Sequence, residues 1–406
     1  MNRFAAQYRD FFRQPDVGPL VAVALLARMP IGMIGLSMLM FLREAFGSFA
    51  LAGSAVGFYF IAMAVAAPVQ GRLIDRMGPR APLLVTGIVQ PLAMLALFAF
   101  VRAGLGYPFV VAAAVAAGVF QAPITVLTRT LWRYRFEGEE DRRRAFAVDA
   151  VMIEINFTLG PAIIALVLAI AHPTAAYLLA TAATVCGFIL FMASPALKYF
   201  RRDEKTERHM LGPLTEPRLL AVFIATFGLT TGFGLMEVGY PGFATAMALP
   251  ALGGVFLSVN SLGSAVGGGI FGGLELRSSV ERQFALALGL MAIPLFLHAA
   301  VDGPIAFGFV AFIAGGLIAP SITCQSVLVS RLAPSHYATE AFTWSSTFIL
   351  TGLGAGMAMG GALVENTGPK APFVAAGAIV LAMSLLALLI PTSPEKGSEP
   401  IAAKGL

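Results

Sequence analysis

The sequence predicts an all-α polytopic membrane protein in which twelve transmembrane helices form two pseudo-symmetric six-helix bundles. Three observations carry this. The composition is 58% hydrophobic and only 12% charged, with a mean hydropathy of +0.83, more apolar surface than a soluble domain of 406 residues needs. Apolar runs of about 20 residues, enough to cross a hydrocarbon core of about 30 Å, recur along the whole chain. The cations between those runs fall almost entirely on alternate loops.

Taken in order, Met1 to Asp16 is amphipathic with Arg3, Arg9 and Arg13, and it lacks the small-residue cleavage site that follows a short apolar core in an export signal. It reads as a retained cytoplasmic lead-in helix. Apolar segments follow at 18–42, 49–71, 82–102, 106–130, 145–170 and 174–197. The stretch from Lys198 to Arg218, with Arg201-Arg202-Asp203-Glu204-Lys205, is the long polar break, and it divides the chain into 1–197, a linker at 198–218, and 219–406. Six more segments lie at 219–244, 249–272, 284–301, 304–330, 340–364 and 372–391. Of 27 Lys and Arg, 22 sit on the side of the N-terminus, linker and tail, whereas Arg43, Arg102 and Lys370 sit opposite and Arg28 and Arg129 lie within helices. Positive residues stay cytoplasmic, so both termini are expected in the cytoplasm, the chain being a multi-pass protein of a bacterial inner membrane. The pI of 9.4 thus reports topology. Nucleic-acid binding would need a contiguous basic face on a soluble module. Cys186 and Cys324 both fall in apolar runs and read as small packed residues rather than a disulfide or metal pair.

The halves echo each other. Ala122-Pro123-Ile124-Thr125 recurs as Ala319-Pro320-Ser321-Ile322-Thr323, and Ala145-Phe146 with Gly160 fourteen residues on recurs as Ala341-Phe342 with Gly356 fourteen residues on. Two bundles related by an axis along the membrane normal produce such echoes.

Between the second and third segments stands Gly71-Arg72-Leu73-Ile74-Asp75-Arg76-Met77-Gly78-Pro79-Arg80. Gly71 and Gly78 are expected to let the backbone turn tightly, and Asp75 lies among Arg72, Arg76 and Arg80, which can hold it in charge-assisted hydrogen bonds. The set reads as a conformational clasp. The pattern G-x-L-x-D-R-x-G-x-R is similar to the loop between helices two and three of the major facilitator superfamily, whose members are twelve-helix secondary transporters. Gly272-Gly273-Leu274-Glu275-Leu276-Arg277 resembles a degenerate second copy, with Leu276 in place of the acid. Gly160-Pro161 is similar to the core of the helix-five motif of proton-driven antiporters in that superfamily, and it is expected to act as a hinge. The resemblance implies the superfamily's fold, in its bacterial efflux and antiporter-like branch.

Ionisable groups at membrane depth are costly unless they pair or face water, so function is sought there. Arg28 lies about ten residues into the first helix, about 15 Å deep. Glu154 lies a similar distance into the fifth, where it reads as the proton-coupling residue, with Arg28 as its charge partner or as half of a permanent ion pair. Glu237 lies within Gly232-Phe233-Gly234-Leu235-Met236-Glu237-Val238-Gly239-Tyr240-Pro241, whose glycines and proline are expected to loosen the helix, and it reads as an outer-gate or second proton site. Arg129, Asp149 and Glu340 are expected to form an inner gate network or to be ordinary helix-end charges. Gln90, Gln121, Asn156 and Asn260 can contact substrate or bond a neighbouring helix.

No phosphate loop, metal-spaced His/Cys cluster or catalytic triad is evident, so neither an enzyme, a cofactor nor a metal is expected. The expectation is proton-coupled export of a small organic molecule by a monomer whose partners are substrate, protons and bilayer. Uptake or facilitated diffusion of an anionic metabolite paired with Arg28 is the second reading, and a membrane sensor or lipid-handling protein the third.

Overall fold

The computed structural model describes residues 9, 11–14, 16–136, 138–199, 212–333 and 338–391. Twelve helices are long and apolar enough to cross a membrane: Val17–Phe46, Phe49–Ile74, Arg80–Arg102, Tyr107–Arg135, Glu139–Ile170, Pro173–Ala193, Pro217–Ala246, Leu252–Gly272, Val280–Ala300, Pro304–Leu332, Glu340–Asn366 and Ala371–Leu388. They are called spans one to twelve. All the expected segments are among them, and the chain is an all-helical membrane protein. The face that carries the connection from span six to span seven is called the linker face, and its opposite the far face. Residues 200–211 of that connection lie outside the described residues.

Local chemistry sets the ends of the spans. Gly47 closes span one in the left-handed region at φ +68°, and the Ser48 hydroxyl then caps span two by accepting from the Leu51 N–H at 3.1 Å. The expected turn at Gly71 is corrected. Helix continues to Met77, and only Gly78, at φ +82°, makes the turn into span three. A single residue free of Cβ strain is enough, because Pro79 already starts the next helix at φ −74°.

Spans four and ten are each broken. Span four is helical over Tyr107–Val119 and again over Ile124–Arg135, and span ten over Pro304–Gly315 and Ile318–Leu332. The breaks fall beside the repeated Ala-Pro motifs. Just before each, a glycine presses on a neighbouring backbone: a Cβ on Gly118 would collide with the Tyr59 carbonyl, and one on Gly315 with the Asn260 carbonyl.

The two sets of six touch along spans two and eleven and along spans five and eight. A Cβ on Gly53 would lie 2.5 Å from the Met357 carbonyl, and one on Gly254 2.6 Å from the Pro161 carbonyl. Gly71 and Gly272 lie eighteen residues further along the same two helices, five full turns and about 27 Å, so they share the faces of Gly53 and Gly254. Neither meets any atom within 4 Å. The sets therefore close on one another at the far face and part toward the linker face, alike in both halves of the chain.

Candidate functional site

Asp149 and Glu154 stand five residues apart on span five. At about 100° per residue the two acids are turned about 140° from each other. Asp149, Asn156 and Gly160 share the face against span one, where Gly160 packs directly on Gly32. Glu154, Pro161 and Ala165 share the face against span eight.

This twist decides the charge pairing. Arg28 meets Asp149, not Glu154: its Nη2 lies 2.7 Å from Asp149 Oδ1 and donates to the Thr125 carbonyl at 3.3 Å. Asp149 also accepts from Arg129 Nε at 3.0 Å and from Trp132 Nε1 at 3.3 Å. Arg28 and Asp149 are 1% and 2% exposed, so each would be costly alone. Two guanidinium groups share one carboxylate, giving the cluster one net positive charge, and Arg28 Nε and Nη1 are buried without a partner. Glu340 forms no hydrogen bond or ion pair with Arg129 or Asp149. The network joins spans one, four and five, so it braces the first set of six rather than bridging the two sets.

Glu154 lies halfway along span five, half-buried, and its Oε1 accepts from Ser264 Oγ of span eight at 3.4 Å. That bond crosses between the sets, below the Gly254–Pro161 contact that closes the far face. Among the described residues no cation reaches it. Glu237 is half-buried and has no hydrogen bond or ion pair among the described residues. Span seven stays helical throughout Gly232–Pro241, since Gly234 and Gly239 serve close packing on spans eleven and twelve.

Glutamines serve the break in span four. Gln121 Oε1 accepts from Gln90 Nε2 at 2.6 Å and from the Tyr59 hydroxyl. Gln90 Oε1 in turn accepts from the freed Ala122 N–H at 3.1 Å, and Gln70 Nε2 donates to the Val119 carbonyl at 2.6 Å. Asn260 Nδ2 donates to the Ala311 carbonyl of span ten at 2.9 Å and to the Tyr240 hydroxyl at 3.3 Å. Buried backbone must find partners in a membrane, and Gln90 and Gln70 supply them at the break in span four, whereas Asn260 bonds a carbonyl inside the helix Pro304–Gly315. Asn156 is 2% exposed with Oδ1 unpartnered. Gln90 and Asn260 are buried too, which leaves Gln121 the accessible one of the four. Gln70, Tyr59 and Ser264 escaped sequence reasoning, because single polar residues in apolar runs carry no register signal.

At the far face Glu365, near the end of span eleven, accepts from Ser48 Oγ at 2.5 Å and from the Ala50 N–H at 2.9 Å. A carboxylate thus sits on the N-terminus of span two across the interface between the sets, where the helix dipole favours it. At the linker face Arg135 binds Asp16 through Nε at 2.5 Å and Nη2 at 2.9 Å, and the Tyr199 hydroxyl donates to Asp16 at 2.8 Å. The hydrogen bond from Arg135, aided by that from Tyr199, holds the Asp16 carboxyl down at about 2 against desolvation.

In the expected clasp, the Asp75 side chain lies outside the described residues. Arg72 and Arg80 are exposed. The expected hinge at Gly160 and Pro161 lies in unbroken helix, Glu139–Ile170. Cys186 is exposed on span six and Cys324 buried, both as free thiols.

A family model described as Major Facilitator Superfamily matches residues 20–349 and 258–405. Among solved structures, a POT family transporter crystallised in complex with 5-aminolevulinic acid is similar, with a TM-score of 0.68 at 12% identity over 91% of this chain and 95% of that one. No curated protein sequence matches.

Proposed function

The chain belongs to the Major Facilitator Superfamily, and on that premise we propose that it is a proton-coupled secondary transporter that exports a small organic molecule by alternating access. The supporting observation is the charge balance at mid-depth. Arg28 and Arg129 are paired with Asp149 within one bundle, whereas Glu154 stands at the seam between the two sets, where among the described residues it meets only the Ser264 hydroxyl. A carboxylate without a countercharge at membrane depth calls for a positive partner, either a proton or a cationic group of the cargo. Uptake of an anion by Arg28 is the second reading, since the Arg28–Arg129–Asp149 cluster keeps one net positive charge and Arg28 Nε and Nη1 have no partner.

In this reading residues 1–197 rock against 219–406. The linker face lies in the cytoplasm of a bacterial inner membrane, as the sidedness of the arginines and lysines supports, and the structure then corresponds to an inward-open state. Glu365 on the end of span two latches the far face. The clasp of Gly71, Arg72, Asp75, Arg76, Gly78 and Arg80 belongs to the opposite state, in which the linker face closes. Glu154 carries the proton, and Glu237, nearer the far face, is a second acceptor. Export is the direction favoured by the likeness of Gly160-Pro161 to the helix-five motif of proton-driven antiporters.

The test is proton flux in inside-out vesicles with an acid interior, challenged with organic cations, sugars and organic anions. A solute that releases protons with the wild type and not with Glu154→Gln is the expected result. Full pH-dependent transport by Glu154→Gln moves the coupling role to Glu237.

A further inference from the structure

The far face of the second set of spans carries a cleft of about 800 Å³ where spans seven, eleven and twelve meet their loops. Its walls are apolar. Phe243 comes from span seven, Leu363 from span eleven, and Val374 and Ala378 from span twelve. From Ala371 to Ala378 the lining follows span twelve for about 10 Å, so the cleft leads from the membrane interface to acyl-chain depth.

Its mouth is charged. Lys370 Nζ lies 2.5 Å from Asp302 Oδ1 and donates to the Ala299 carbonyl at 3.1 Å. Asp302 remains 90% exposed, and among the described residues its second carboxylate oxygen accepts no hydrogen bond. Lys370 is also the N-cap of span twelve, which has no side-chain cap. The Ala371 and Phe373 N–H groups are taken by the Gly368 and Lys370 carbonyls and Pro372 has none, so it is the positive end of the helix dipole that reinforces the ammonium. A positive group beside a helix N-terminus suits a phosphate, and an exposed carboxylate next to it suits a cation that can donate hydrogen bonds.

We infer that this cleft binds a phospholipid with a phosphoethanolamine headgroup. The phosphate rests against Lys370 and the start of span twelve, the primary ammonium donates to Asp302, and the acyl chains lie along Val374 and Ala378. A choline headgroup carries the charge but has no N–H to donate, and a glycerol headgroup has no cation for Asp302. The site is independent of the transported solute.

The test uses delipidated, detergent-solubilised full-length protein, offered equimolar phosphatidylethanolamine, phosphatidylcholine and phosphatidylglycerol of identical chains and read by native mass spectrometry. Retention of phosphatidylethanolamine about tenfold above the other two is expected, the ratio one charge-assisted hydrogen bond supplies. Asp302→Asn should bring it level with phosphatidylcholine, and Ala378→Trp, at an exposed position that fills the cleft, should abolish its retention. Elution volume and unfolding temperature verify that both variants fold. Equal retention of the three lipids by the wild type, the mark of a non-selective lipid belt, overturns the proposal. So does a preference that survives both substitutions.

Discussion

Arg28 and Asp149 show how strongly a buried charge depends on its partner. Each is almost fully enclosed, and Asp149→Asn would leave Arg28 an uncompensated cation in a membrane-spanning bundle. A loss of about 3–5 kcal/mol of stability is expected, read as a lowered unfolding temperature in detergent. Adding Arg28→Met to that variant should restore much of it, because a well-packed apolar chain of similar length costs little where an unpaired charge costs much. An unchanged unfolding temperature in Asp149→Asn would show that the ion pair contributes nothing. Arg28 was legible in the sequence as an intramembrane charge and Asp149 as an inner-gate or helix-end charge, but their pairing was not. Counting residues gives depth along a helix, and it placed Arg28 and Glu154 at similar depths. Which acid faces Arg28 depends on how span five is rotated about its own axis, and that rotation is fixed by the packing of Gly32 against Gly160.

At the scale of elements, the broken spans four and ten do what intact helices cannot: they free backbone groups in the bilayer. Gln90 and Gln70 bind the groups freed in span four, and Gln121 accepts from Gln90 and orients it. Gln90→Leu strands the Ala122 N–H and should cost about 1–3 kcal/mol. Its unfolding temperature should fall while KM for the cargo stays as in the wild type. A raised KM at unchanged stability would instead make Gln90 a substrate contact. The sequence displayed the repeated Ala-Pro motif in the right places but not the breaks, since proline alone does not tell a kink from an interruption. Pro161 and Pro241 both sit inside continuous helix. What distinguishes span four is the set of side chains from spans two and three that satisfy it, and these arrive only when the bundle is assembled.

For the whole molecule, the glycines of spans two and eight report the state. Gly53 and Gly254 are pressed against the opposite set, while Gly71 and Gly272 face open space at the other ends of the same helices. Combining Gly71→Leu with Gly272→Leu should leave this arrangement folded and hinder closure of the linker face. Transport should fall, and cysteines introduced along the far-face seam should become less reactive to an impermeant maleimide than in the wild-type background. Unaltered transport would mean that these two helices do not approach at the linker face. Amino-acid order by itself determined the class of the protein, its twelve spans, the division into two sets of six and the likeness to its family, because hydropathy and span length are local properties that the bilayer reads directly. The tertiary structure alone decided which charges are paired, which amides repair broken helices, and at which face the two sets meet. Those outcomes depend on the rotation and approach of helices far apart in sequence, and such relations leave no periodic trace along the chain.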